Sequence, residues 1–291
     1  MEFRVLQYFL AVAREQSISG AAEALHLSQP TLSRQLKDLE EELGKQLFIR
    51  GNRKITLTEE GILLRKRAEE ITELMQKTES EISQSDDNVA GDITIGAAEA
   101  KPVRFLVQVA QALQRQYPLI RFHVISGDRA TVMDQLDKGL IDFALLHGDI
   151  DSAHFESHPV PYHHIWGILM RRDSPLAAKE AVTKEDLRGQ PMIISRQIYQ
   201  NPAFQEAFKN GDQRINVVAT YNLIYNGSLM VEEGMGYALC FDQLINTAGD
   251  SQLCFRPLVP ESKIGMSLIW KRYQIFSKAA QAFLQKVKEE A

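Results

Sequence analysis

The chain holds 291 residues, 24% of them charged and 44% hydrophobic, with a formal net charge of −5 at pH 7. That length suits two or three domains. No run approaches the roughly 20 apolar residues of a membrane span, and the amphipathic opening is no secretion signal, so a soluble, cytoplasmic protein without a membrane partner is expected.

A mildly acidic total would not announce a nucleic-acid partner, but the charge is uneven. Residues 1–58 carry eight Lys/Arg against seven Asp/Glu, and residues 59–90 carry four against nine. Phe3, Leu6, Leu10 and Ala13 recur at helical spacing and predict a first helix. The small Ala21 and Ala22 let a second helix approach closely, with Ser19 as its expected cap. Next comes Ser28-Gln29-Pro30-Thr31-Leu32-Ser33-Arg34-Gln35-Leu36-Lys37. Ser28 can cap a third helix and Pro30 fits its first turn, where no intrahelical donor is needed. Leu32, Leu36, Leu39 and Leu43 form one apolar stripe. Pro30, Arg34 and Lys37 point the opposite way, with Thr31 and Ser33 on the shoulders. A capped helix with an outward Arg suits a DNA major groove. Taken alone, the same ten residues also fit an ordinary amphipathic helix with a solvated basic face.

The residues that follow favour the first reading. Leu47-Phe48-Ile49 and Ile55-Thr56-Leu57 flank the turn signal Gly51-Asn52, which predicts a two-stranded wing. From Leu43 to Thr58 there are four basic residues and no acidic one. Arg50, Arg53 and Lys54 sit at or beside the wing tip, where they can meet phosphate or a narrow minor groove. The expected DNA-facing set is therefore Ser28, Gln29, Pro30, Thr31, Ser33, Arg34 and Lys37 with Arg50, Arg53 and Lys54.

These pieces resemble the LysR-type family of bacterial transcriptional regulators. The resemblance is carried by Leu6 with Phe9, Ser17-Ile18-Ser19 with Ala21-Ala22-Glu23, and Leu27-Ser28-Gln29-Pro30-Thr31-Leu32-Ser33. It continues through Leu39-Glu40-Glu41-Glu42-Leu43-Gly44, Leu47-Phe48 with Arg50, and Leu57-Thr58 with Gly61, and so covers the first sixty residues. It implies an α/β chain with an N-terminal winged helix-turn-helix, a long linker helix, and a two-lobed effector domain like a periplasmic binding protein. The implied partners are a double-stranded DNA operator, a small-molecule effector and further copies of the chain, as a homodimer or homotetramer, with RNA polymerase left open. No cofactor is expected.

From Thr58 to about Asp86 nearly every residue is a strong helix former. Leu64, Ala68, Ile71, Met75, Thr78 and Ile82 alternate four and three apart, the seam of a coiled coil. So polar a helix would be marginal alone in water, and a second copy is its simplest partner; packing on its own C-terminal domain is the alternative. Asp86 to Asp92 breaks the pattern and is expected to be a hinge.

From Gly91 strands and helices alternate as β-α-β-α-β to Leu146, which implies a mostly parallel sheet covered on both faces. After Pro159 and Pro161 the theme repeats more loosely, with a helix expected near Pro202–Lys209, and an amphipathic helix at Ser277–Lys288 should return to the first lobe. The expected divisions are a winged helix-turn-helix at 1–58, a linker helix at 59–87, and an effector domain at 91–291. Lobe 1 would take about 91–160 and 266–291, lobe 2 about 161–265.

Open α/β sheets bind ligands at strand carboxyl ends, beside helix N-termini. That rule selects Ala98, Glu99 and Ala100, then His147, Ser195 with Arg196, Tyr221 with Asn222, and Phe241. The family resemblance implies Ser or Thr hydroxyls at the first of these helices, yet Ala98 and Ala100 stand there with Glu99 between them. Glu99 could be solvated, pair with Lys101 or Arg104, or recognise an amine. A neutral or zwitterionic effector is expected, or an anion anchored through Ser195 and Arg196.

No nucleophile–base set, phosphate-cradling glycine run, HExxH or Cys/His cluster is present, so neither enzyme nor metal site is expected. Some relatives in this family sense oxidants through paired cysteines. Cys240 and Cys254 both stand among apolar neighbours, which argues against a reactive thiol. Two other readings stay open at this point: a constitutive regulator with a vestigial cleft, and a two-lobed solute-binding protein, against which the basic winged N-terminus argues.

Overall fold

Helix α1 (Phe3–Glu15) buries Val5, Leu6, Phe9, Ala11 and Val12. The stripe is broader than the expected line, and Phe3, Leu10 and Ala13 are half-buried, because α1 packs on several neighbours at once. Helix α2 (Ile18–Ala24) is capped by Ser17, whose Oγ accepts from the Gly20 N–H at 3.2 Å. Ser19, the expected cap, already lies inside the first turn. Helix α3 (Gln29–Leu43) begins as expected: Ser28 Oγ accepts from the Thr31 N–H at 3.3 Å, with Pro30 in the first turn. Leu32, Leu36 and Leu39 are buried, but Leu43 is 41% exposed. It stands in the last turn, just before Gly44 ends the helix with φ +63°.

Strands β1 (Phe48–Arg50) and β2 (Ile55–Leu57) form an antiparallel wing. Helix α4 (Glu59–Ser83) follows. The wing's base is fastened by two side chains. Glu40 Oε1 accepts from the Leu47 and Phe48 N–H groups at 2.7 and 3.2 Å. Thr58 Oγ1 donates to Gln46 O and accepts from the Gly61 N–H at 2.9 Å. Gly61 must lack a side chain, since a Cβ there would stand 2.2 Å from Leu47 O. Of the expected seam, Leu64 and Ala68 pack into this unit's own core. Ile71, Met75 and Ile82 are exposed, as is the neighbouring Leu74.

The computed structural model describes residues 1–51, 54–83, 89–202, 204 and 215–291. The chain divides into two compact units, Met1–Gln84 and Ser85–Ala291. The expected hinge lies partly outside the described residues, as does most of a helix expected near Pro202–Lys209. Among the described residues no helix is long and apolar enough to cross a membrane.

In the second unit β3 (Gly91–Ala97) pairs in parallel with β4 (Ile120–Ser126) and β5 (Phe143–His147). Helices α5 (Val103–Gln116) and α6 (Arg129–Asp137) make the crossovers. The 17-residue strand β6 (Phe155–Arg171) then runs through both lobes. Pro159 and Pro161 therefore do not end a segment. They fall in the half of β6 that pairs only with β12 (Lys263–Lys271), and such an edge tolerates a missing N–H. The far half of β6 pairs with β10 (Tyr237–Phe241) and with β11 (Leu253–Val259), a strand the sequence pattern did not reveal.

Strands β8 (Pro191–Ser195) and β9 (Asn216–Tyr221) extend lobe 2 in parallel with β10, and the short β7 (Val182–Thr183) pairs with β11. Helices α7 (Arg196–Gln200) and α8 (Ile224–Glu232) stand at strand ends. Helix α9 (Lys278–Glu290) places Ala279, Ala280, Phe283 and Val287 in the lobe 1 core, against β3 and α5. The α/β class and the two lobes match the expectation. The strands of the expected β-α-β-α-β run are parallel; the antiparallel β12 in lobe 1 and β6 in lobe 2 make each sheet mixed.

Candidate functional site

In the first unit, the expected DNA-facing residues of α3 lie on one side. Ser28, Gln29, Pro30, Thr31, Arg34 and Lys37 are exposed and Ser33 is half-buried. The Leu32–Leu36–Leu39 stripe fixes this orientation by burying the opposite face. Ser28 Oγ also lies 2.7 Å from Thr31 Oγ1, so the helix start is an organised cluster of hydroxyls and amides. Arg34 lies 4.0 Å from Asp38 and Lys37 lies 3.1 Å from Glu41, each one turn along the helix. At the wing, the Gly51 N–H donates to Lys54 O at 3.1 Å, and Lys54 is exposed. Arg50 belongs to β1. Arg53, expected at the tip, lies outside the described residues.

The second unit contains a cleft of about 840 Å³ between its lobes. The expected Ala98, Glu99, His147, Ser195, Tyr221, Asn222 and Phe241 all line it. Two expected residues do not. Ala100 packs toward the lobe 1 core. Arg196 is exposed outside the lining, because Ser195 Oγ caps α7 through the Ile198 N–H at 3.2 Å and the helix then turns Gln197 and Ile198 inward instead.

Helix α5 begins at Val103 and has no side-chain cap. Glu99 is thus not at its N-terminus. Its Oε2 instead accepts from the Ile224 N–H at 2.6 Å, reaching from the end of β3 in lobe 1 to the first turn of α8 in lobe 2. The hydrogen bond has a clear cause: the residue before α8 is Leu223, which has no polar side chain to cap the helix, and an anion at a helix N-terminus is favoured.

Sequence reasoning missed Asp128, Arg129 and Trp166, which also line the cleft. The strand-end rule, applied to β4 as it was to other strands, would have found the first two. Asp128 caps α6 through the Thr131 N–H at 2.9 Å, a bond that lowers its pKa. Arg129 donates to His147 O and Asp149 O. Trp166 lies mid-strand on β6, where no strand-end signal marks it. Its ring centroid is 4.0 Å from that of Phe241, which also stacks on His164 at 4.7 Å.

Burial pushes the His147 pKa down, helped by Arg129 and His164. Burial likewise lowers His164, against the opposing pull of Asp242. His164 is fully buried and neither ring nitrogen makes a hydrogen bond; Nδ1 lies 3.5 Å from Asp242 Oδ1. Tyr221 donates its hydroxyl to Leu239 O at 2.7 Å. Cys240 and Cys254 are both buried and project into different cores on either side of the lobe 2 sheet. Burial pushes the Cys240 thiol up to about 12. Among the described residues no group of His, Cys, Asp and Glu is placed to hold a metal.

Residues 3–62 match the family model described as bacterial regulatory helix-turn-helix protein, lysR family, and residues 86–291 match the LysR substrate binding domain. The HTH-type transcriptional regulator BsdA of Bacillus subtilis is 40% identical over 146 residues, half of each chain. A hydrogen peroxide-inducible genes activator of Pectobacterium carotovorum is 30% identical over 194 residues, 67% of this chain and 64% of the relative. These alignments span between half and just under two thirds of those relatives. The fold is similar along the whole length to CbnR in complex with its target DNA, with a TM-score of 0.77 at 19% identity and full coverage of both chains. It is also similar to HinK, a LysR family transcriptional regulator from Pseudomonas aeruginosa, with a TM-score of 0.57 at 24% identity over 99% of this chain and 98% of that one.

Proposed function

Because this chain belongs to the LysR family of bacterial transcriptional regulators, we propose that it binds a double-stranded operator sequence-specifically under the control of a small molecule held between the lobes of its second unit. The observation that carries this reading is the capped, exposed start of α3, with Arg34 and Lys37 turned outward beside a wing bearing Lys54. The DNA complex of the similarly folded CbnR supports it. Ser28, Gln29, Pro30, Thr31 and Ser33 would set the helix in the groove, Arg34 would read a base, and Lys37, Arg50, Arg53 and Lys54 would meet phosphate.

The proposed division is a DNA-binding domain at 1–58, a linker helix at 59–87 and an effector domain at 91–291. The exposed Ile71, Leu74, Met75 and Ile82 would pair with the same helix of a second copy, as a dimer or a tetramer built on dimers. The effector would contact Glu99, His147, Tyr221, Asn222 and Phe241. With Arg196 outside the lining and Ser195 already capping α7, a plain carboxylate lacks the bidentate anchor the sequence offered it, and this disfavours an anionic effector.

The match of residues 3–62 to the helix-turn-helix model separates this reading from a solute-binding protein. The relatives that match are transcriptional regulators rather than enzymes. One relative is named for a peroxide response; here Cys240 and Cys254 are both buried in separate cores, which disfavours a reactive thiol pair. The test is selection from a pool of random duplexes. Enrichment of one site with two related halves is expected; a pool that stays random after repeated rounds overturns the reading.

A further inference from the structure

Among the described residues that line the cleft, acidic side chains outnumber basic ones, and one of them spans it. Glu99, Asp128 and Asp149 stand with Arg129 in the lining, and Arg196, outside it, acts on Asp128. The Arg129 guanidinium is turned to the carbonyls of His147 and Asp149, while Asp128 is committed to the first turn of α6. Glu99 occupies the start of α8 through the Ile224 N–H, which is where the carboxylate of an acidic ligand would otherwise dock. The protein thus supplies its own anion at that helix end. A carboxylate accepts up to about four hydrogen bonds, so the single bond to Ile224 leaves most of that capacity for a donor. Trp166 and Phe241 also line the cleft; Phe241 packs against Trp166 and His164, and the pair offers aromatic, apolar surface to a ligand.

We infer that the cleft takes an organic ammonium ion, its cation on the remaining lone pairs of Glu99 and its apolar body against Trp166 and Phe241. The inference rests on the cleft being the sensing site and names the chemistry it senses. A carboxylic acid would have to evict Glu99 from α8 and then stand beside it as a like charge. An amine requires no eviction, and it adds a second charge-assisted hydrogen bond to a side chain already held in place.

The probes are benzylamine, 2-phenylethylamine and tryptamine, each compared with the carboxylic acid and the alcohol of the same skeleton. Binding is measured by calorimetry on the full-length protein. Glu99→Gln keeps an oxygen for the Ile224 N–H and removes the charge; circular dichroism checks that the fold survives. At least one amine is expected to bind the wild type more tightly than its acid and its alcohol. That affinity should drop at least about tenfold in Glu99→Gln, the scale of a lost charge-assisted hydrogen bond. Trp166→Leu, which leaves the Glu99–Ile224 bond in place, should also weaken the amine. If an acid binds as tightly as its amine, or amine affinity is unchanged in folded Glu99→Gln, the amine assignment is overturned while sensing in the cleft stands. If none of the nine compounds binds, both fail, and operator selection remains as a separate measure of the DNA-binding reading.

Discussion

At the residue scale, Arg34 and Lys37 each carry an acid one turn along the helix, Asp38 at 4.0 Å and Glu41 at 3.1 Å. DNA must compete for both cations. Exposed pairs of this kind contribute about 0.3–0.5 kcal/mol, whereas a bidentate base contact discriminates by about 1–3 kcal/mol, so the base wins. Arg34→Ala should therefore cost about 1–3 kcal/mol on the selected operator with circular dichroism unchanged. Lys54→Ala should weaken all duplexes alike and reduce the salt slope by about 1. Fluorescence anisotropy on operator and scrambled duplex, at several salt concentrations, separates the two. An equal loss on both duplexes for Arg34→Ala would make Arg34 a phosphate contact. His147 and His164 carry a different prediction, because burial holds both below the ordinary histidine value of 6.5. The unfolded chain takes up these protons as pH falls through about 6.5 and the folded chain does so only at lower pH, so stability declines across that interval. Urea unfolding at steps between pH 8 and pH 5.5 should show the fall. A flat profile over that range would mean that the two rings are not held neutral by the fold.

At the scale of elements, the junction of wing and α4 depends on side chains distant in sequence. Glu40 reaches the Leu47 and Phe48 amides, and Thr58 ties Gln46 to the start of α4. Both lie in stretches that carry the family resemblance, but spacing alone did not assign them these bonds. Gly61 is the strictest point of the junction, since a Cβ there meets a backbone oxygen with no room to yield. Gly61→Ala is expected to destabilise the first unit by about 1–3 kcal/mol, the usual cost of overpacking. Denaturant unfolding of that variant measures it; wild-type stability would show that the junction is loose. Helices with a strong periodic stripe, such as α1, α3, α5 and α9, were legible because one buried face repeats every three to four residues. Strand β11 was not. Its register against β6 alternates cores on the two faces of the sheet, so it shows no polar alternation, and Pro257 falls within it.

At the scale of the whole molecule, α4 leaves Ile71, Leu74, Met75 and Ile82 exposed, after Leu64 and Ala68 have been absorbed by the first unit's core. The exposed apolar stripe therefore begins about two turns later than the expected seam. Ile71→Asp should yield monomers and lose binding to an operator of two half-sites, because a buried charge in a coiled-coil seam is not tolerated. Analytical ultracentrifugation with operator titration checks it; an intact assembly would move the interface off this stripe. The sequence by itself determined the winged helix-turn-helix, the outward face of α3, the alternation of strands and helices, and a cleft-lining set of Ala98, Glu99, His147, Ser195, Tyr221, Asn222 and Phe241. Each of these depends on short-range spacing, on capping chemistry, or on the rule that ligands gather at strand ends. Only the tertiary structure decided that Arg196 stands outside the cleft, that Trp166 lies within it, and that Glu99 caps α8. The Glu99–Ile224 bond joins residues 125 positions apart, and no local pattern encodes such a meeting. It exists because β6 and β12 run between the lobes and bring the end of β3 to face the first turn of α8.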